Sequence, residues 1–139
     1  MELMQLVPAV EGLNFYVVTE KNYSLEEIAG HYRHYYLYQQ QRHGKSFVFC
    51  FLANIFLSLY FILKERPTTV ITTGAGGAFP TCLFAKMLFR KVIYVESFAK
   101  LNNKSVTGRL VYHFADEFYV QWPEMKSVYP KSKYCGTVY

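Results

Sequence analysis

The sequence predicts an α/β fold, a Rossmann-like parallel sheet with helices on both faces. Three observations predict it. Between Arg66 and Gly108 two strand–loop–helix units follow one another, and consecutive units of this kind require parallel strands joined by helical crossovers. The first strand, Thr68-Thr69-Val70-Ile71-Thr72-Thr73, is β-branched throughout, the composition of a buried strand. Both loops fall at the carboxyl ends of their strands, where open sheets of this type bind ligands. The 139 residues fit one domain over 1–139.

Taken in order, Met1 to Val7 reads as a helix that stops at Pro8, and Leu13 to Thr19 as a strand ending in the polar turn Glu20-Lys21-Asn22. Ser24-Leu25-Glu26-Glu27 has the form of a helix N-cap with acidic residues in the first turn. Ile28 to Arg42 mixes tyrosines, histidines and a glutamine run and breaks at His43-Gly44, without a clear period. Ser46 caps the next element, Phe47 to Leu63, which ends at Lys64-Glu65-Arg66-Pro67. Apart from the Tyr60 hydroxyl, its polar side chains are Asn54 and Ser58, four apart on one face. The rest is apolar, so the helix is expected to be covered on nearly every side. Its length, roughly 25 Å at 1.5 Å per residue, falls just short of a bilayer core. A crossover helix is the first reading, a helix facing lipid through Phe47, Phe51, Ile55 and Leu59 the second. Thr81 to Phe89 reads as a helix, Val92 to Val95 as a strand, Ser105 as the cap of a helix through Ala115, and Glu117 to Gln121 as a further strand before Trp122-Pro123.

Hydrophobic residues make up 52% of the chain and aromatics 19%, with 13 Tyr and 12 Phe. That is more ring surface than a domain of this size normally hides, and part of it is expected to face a membrane or a partner. The net charge of +5 favours anionic company. Cys50, Cys82 and Cys135 form no CxxC pair, so neither a disulfide framework nor a zinc knuckle is indicated.

Gly74-Ala75-Gly76-Gly77 follows a strand and precedes a helix, which invites a phosphate reading, and Glu96 ends the next strand as the ribose-binding acid of dinucleotide sites does. Phe79 occupies the third fingerprint position, where glycine or alanine is required, and this counts against a stand-alone nucleotide-binding oxidoreductase. Lys100, Lys104 and Arg109 surround Ser105 and Thr107, a combination suited to a phosphate or diphosphate. A solvated basic loop with Ser105 as a helix cap is the plainer alternative. His31 and His34 lack a third ligand at matching spacing, so no metal site is expected. The chain has no nucleophile elbow, no Walker lysine and no clustered basic run of a nucleic-acid binder. It shows no self-sufficient catalytic set.

Val18-Thr19-Glu20, Arg66-Pro67 through Gly76, Tyr94-Val95-Glu96-Ser97-Phe98-Ala99-Lys100, Ser105-Val106-Thr107-Gly108, Val120-Gln121-Trp122-Pro123 and Tyr134-Cys135-Gly136, in this order, resemble the Alg14-like family of oligosaccharide and capsular polysaccharide biosynthesis proteins. The resemblance implies the N-terminal half of a GT-B glycosyltransferase, split so that an Alg13-like subunit carries the nucleotide sugar. It therefore implies no cofactor on this chain, no activity by the chain alone, and a place on the cytoplasmic face of the membrane, peripheral or helix-embedded. The partners it implies are the Alg13-like subunit, membrane lipid and a polyprenyl-diphosphate-linked glycan, with no nucleic acid. Carried over by position, Gly74, Gly76, Gly77, Glu96, Ser97, Ser105, Thr107 and Gly108 would line the cleft, joined by Lys100, Lys104 and Arg109; Gln121, Trp122 and Pro123 are partner-interface candidates. Family members begin with a strand and glycine-rich loop, and Met1 to Leu6 matches the helix after it. The first strand is therefore expected to be missing here.

Overall fold

The computed structural model describes residues 2–20, 31–39 and 46–138. The helix start at Ser24, the His43-Gly44 break and the Ser46 capping side chain lie outside the described residues. In chain order the elements are α1 (Glu2–Gln5), α2 (Val7–Val10), β1 (Val17–Glu20), β2 (His34–Leu37), α3 (Ser46–Glu65), β3 (Thr69–Thr72), α4 (Ala78–Met87), β4 (Lys91–Val95), α5 (Val106–Val111), β5 (Glu117–Val120), α6 (Met125–Val128) and β6 (Lys133–Tyr134). Among the described residues every strand pairing is parallel, as the repeated units predict.

The strands form two hydrogen-bonded pieces, β1-β2 and β3-β4-β5-β6. In the first, Val17 pairs with His34 and Glu20 with Leu37. In the second, Thr69 pairs with Lys91, Ile93 with Glu117 and Tyr119 with Lys133. The carboxyl ends of both pieces meet at the turn after β3, where Gly77 lies against the Leu37 and Glu20 side chains. Residues 34–37 had no legible period, yet they pair with β1, because a strand held by its neighbours does not need an alternating pattern of its own. Pro8 opens α2 instead of ending the first helix, since its missing N–H falls in a first turn where no partner is required.

The two faces of the larger sheet are unequally covered. Val92, Tyr94, Phe118 and Val120 point into a core closed by Ile62 of α3, Cys82 and Ala85 of α4, Val111 of α5, Met125 of α6 and Tyr129. On the opposite face Ile71, Ile93, Val95 and Tyr119 border a 270 Å³ cavity roofed by Leu6, at the α1–α2 junction, and by residues 135–138. Burial pushes the Cys82 thiol up to about 12, so it is an inert core group.

The long helix departs from expectation. Asn54 and Ser58 are its buried polar face: the Asn54 amide exchanges two 2.8 Å bonds with the Tyr38 N–H and C=O, and Ser58 accepts from Thr81 of α4 at 2.9 Å. Phe49, Leu52, Phe56, Tyr60 and Leu63 stand exposed along the other side. The helix is thus not covered all round, because the chain itself places only the polar stripe, Phe61 and Ile62 against its own core. Of the four residues proposed to face lipid, Phe47 is exposed, while Phe51, Ile55 and Leu59 are half-buried on the flanks. The outward stripe is offset from them by about one position.

Candidate functional site at the carboxyl ends of the strands

The loops after β3 and β4 converge as the sequence predicts, and the contact between them is a buried polar cluster. The centre is Glu96, 1% exposed. Its carboxylate accepts from Tyr129 Oη at 2.8 Å, Ser97 N at 3.0 Å and Ser105 N at 3.4 Å, with Tyr94 Oη 3.5 Å away. Tyr94 lies two residues before Glu96, on the same side of the strand, and its hydroxyl also meets Ser105 Oγ at 3.1 Å. Burial first, then the neighbouring carboxylate, pushes both the Tyr94 and Tyr129 phenols above their ordinary range. They stay protonated at all physiological pH and act as fixed donors.

Two glycines are set by this cluster. Gly74 turns the chain at φ 86, and a Cβ there would lie 2.1 Å from Tyr94 Oη. A Cβ on Gly108 would lie 2.3 Å from Glu96 Oε2 and 2.9 Å from Tyr129 Oη. Both positions exclude a side chain, one by conformation and close approach, the other by close approach alone. Gly108 N–H in turn donates 2.8 Å to Ser105 Oγ, the predicted helix cap.

Glu96, expected to line a cleft, is therefore buried beneath these loops, its oxygens taken up by the Tyr129 hydroxyl and the Ser97 and Ser105 N–H groups. Gly77, Thr107 and Gly108 are buried with it. Ser97 is half-buried and already engaged: its hydroxyl donates to Glu2 of α1 at 2.9 Å, and the Phe98 N–H donates to the same oxygen. What these loops and the start of α5 present outward is the exposed Gly76, Lys104 and Arg109, with half-buried Gly74, Lys100 and Ser105. Lys104 Nζ sits 5.2 Å above the Tyr129 ring. Phe79, the residue that breaks the dinucleotide fingerprint, packs edge-on against Phe114 at 6.3 Å and against the core.

The three partner-interface candidates separate. Gln121 is buried, donating to Glu96 O at 3.0 Å and accepting from Val138 N at 3.1 Å; it ties the C-terminal segment to the cluster and cannot face a partner. Trp122 is half-buried with its indole N–H on Phe98 O at 2.7 Å, and Pro123 is exposed. Among the described residues no group of three metal-ligating side chains assembles; His34 instead bonds Tyr32 O and packs on Tyr36. Sequence reasoning missed Glu2, Tyr94 and Tyr129. Tyr94 carried a signal, the two-residue spacing to Glu96 on one strand; Glu2 and Tyr129 reach the site from distant segments and carried none.

Residues 18–138 match the family described as oligosaccharide biosynthesis protein Alg14 like. The chain is 35% identical over 119 residues to the UDP-N-acetylglucosamine transferase subunit ALG14 of Homo sapiens, covering 77% of this chain and 55% of that protein. It is 32% identical over 165 aligned positions to the subunit of the same name from Rattus norvegicus, covering 99% and 76%. A shorter stretch of 82 residues is 50% identical to the Kluyveromyces lactis protein of that name, covering 55% and 35%. The chain thus spans about half the length of the human relative. Among solved structures, MurG of Acinetobacter baumannii superposes with a TM-score of 0.71 at 18% identity, over 98% of this chain and 40% of that one. That likeness bears out the expected GT-B-type, Rossmann-like fold. With the family match extending from β1 to the C-terminal segment, the chain belongs to the Alg14-like oligosaccharide biosynthesis family.

Proposed function

We propose that this chain is the acceptor-side, membrane-bound subunit of a two-component glycosyltransferase, working with an Alg13-like subunit that carries a UDP-sugar. The observation that carries the reading is the family match together with relatives named as subunits of a UDP-N-acetylglucosamine transferase. Those relatives come from animals and fungi, which favours oligosaccharide assembly over capsule or exopolysaccharide synthesis. The acceptor is a lipid-diphosphate-linked glycan on the cytoplasmic face of the membrane. Lys100, Lys104 and Arg109 bind its diphosphate, since three cations on one loop and helix start suit two adjacent phosphates. The turn at Gly74 and Gly76 gives the glycan backbone-level access, and Trp122 and Pro123 meet the partner. The Glu96 cluster holds these parts in place and takes no part in chemistry.

Attachment to the membrane is through α3. Its Phe47–Glu65 stretch is long and apolar enough to cross a bilayer by length and composition, but Asn54 and Ser58 bind it to the rest of the fold, so it lies in the interface with its outward stripe in lipid.

The test is transfer of labelled N-acetylglucosamine from UDP to a polyprenyl-diphosphate-linked acceptor. The purified chain alone should transfer nothing, and activity should appear on adding an Alg13-like subunit. Turnover by the single chain would refute the split. In the complex, Lys104→Ala with Arg109→Ala should raise the KM for acceptor tenfold or more while leaving the KM for UDP-sugar alone; an unchanged acceptor KM would remove these cations from the site.

A further inference from the structure

The turn between α4 and β4 carries an unusual combination of backbone and side chain. Phe89 N–H bonds Lys86 O at 3.0 Å and Arg90 N–H bonds Ala85 O at 2.8 Å, the Schellman pattern that ends a helix with a left-handed residue. That position normally takes glycine, because a Cβ is strained there. Here it is Phe89, at φ 57 and 97% exposed. Phenylalanine contributes nothing to the fold in this place: its ring has no cover, and its backbone would be more relaxed as glycine. Strain of this kind, with no packing reason, points to a use outside the fold.

Its surroundings say what the use is. Met87 and Leu88 precede it, exposed as well, and Leu83 lies one turn back on the outward side of α4. α4 packs beside α3 through Thr81 and Ser58, the helix whose exposed side carries Phe49, Phe56 and Leu63. The charge beside the ring is positive. Lys91 N–H bonds Thr68 O, so Phe89-Arg90 and Arg66-Pro67 enter the neighbouring strands β4 and β3 at the same, amino end of the sheet. Lys86 and Lys91 are balanced by Asp116 and Glu117, but among the described residues neither the exposed Arg66 nor the half-buried Arg90 is ion-paired. An exposed ring flanked by unpaired arginines complements an anionic lipid surface, in which the ring enters the acyl boundary and the cations meet phosphates.

We propose that Phe89 is a second membrane anchor, held out by a strained helix terminus, which together with the α3 stripe fixes the helical layer flat on an anionic bilayer. A stripe along one helix leaves the domain free to roll about that helix; a point on α4, off that line, removes the freedom. The carboxyl-end cleft then opens along the membrane surface, where a lipid-linked acceptor can reach it. This rests on the membrane reading above.

The experiment compares the full chain and its Phe89→Gly and Phe89→Trp variants on vesicles of phosphatidylcholine with about one quarter phosphatidylserine. Phe89→Gly should bind roughly tenfold or more weakly, the factor for one buried ring, yet melt about 3 °C higher as the left-handed strain is relieved. Opposite signs of this kind would not follow from a structural role. Phe89→Trp should bind as wild type and add a vesicle-dependent blue shift beyond that of Trp122. If wild type binds vesicles and Phe89→Gly binds equally, or the added tryptophan stays in water, the anchor is wrong while the membrane reading stands. If wild type binds no vesicle and Phe89→Gly instead loses a protein partner, both are wrong and the tip is a protein contact.

Discussion

The two sides of α3 invert the usual rule for a surface helix. Its inner side is polar, with the Asn54 amide pairing both backbone groups of Tyr38 and Ser58 accepting from Thr81. Its outer side is apolar, with Phe56 71% and Phe49 74% exposed. An inward amide that replaces a strand's missing hydrogen-bond partners gives direction and register, which a greasy contact would not. An outward row of rings is stabilising only where the surroundings are not water. The comparison therefore separates two demands on one helix: polar groups specify how it docks on its own fold, and apolar groups specify what lies beyond it.

The largest expected effect lies on the outer side. Phe49→Ser combined with Phe56→Ser should weaken vesicle binding by about 3 to 6 kcal/mol, from about 1.5 to 3 kcal/mol per ring, with the melting temperature of the free protein nearly unchanged. A large loss of stability would mean that these rings pack in the fold after all. On the inner side, Asn54→Leu conserves bulk but leaves the Tyr38 N–H and C=O without their partner. At about 1 to 3 kcal/mol for each group left unsatisfied, unfolding in urea should show a loss of about 2 to 6 kcal/mol with membrane binding of the folded fraction intact. Ser58→Ala removes a single bond to the half-buried Thr81 and should cost about 1 kcal/mol.

The smallest effect comes from the rim at Glu117, the reference for a surface that does face water. Hydrogen bonding to Lys91, then Tyr119 and Lys133, holds its carboxyl down at about 2, and Asp116 is likewise lowered by Lys86 and the Val92 N–H. A lowered folded pKa adds stability above the ordinary carboxylate range, and this is lost as pH falls from about 4.5 through 2. Glu117→Gln should flatten part of that acid slope in thermal melts and change little at neutral pH beyond the loss of its two solvent-screened pairs, with Lys91 and Lys133.

Much of the site was legible because it depends on local chemistry. Glycines at a strand end, a serine three residues before Gly108 and cations on one loop all lie close in sequence, and they are found close together in space. Apart from Tyr94, the residues that escaped notice come from far along the chain. Glu2 reaches Ser97 and Phe98 across more than ninety residues, and Tyr129 closes on Glu96 across 33; no local pattern encodes such pairings. The same limit explains β2, whose tyrosines and histidine read as structureless until β1 and α3 hold them.

By itself the sequence determined the parallel α/β plan, the presence of the long apolar helix α3 and the cap at Ser105. These follow from backbone propensity and from period, properties of neighbours in the chain. Tertiary structure alone decided which side of α3 faces inward, that Glu96 is buried under the cleft it was expected to line, and that Gln121 is an internal tie. Each of those outcomes depends on which polar groups find a partner once distant segments pack. A buried carboxylate or amide is tolerated only where such partners converge, and that convergence is a property of the assembled fold.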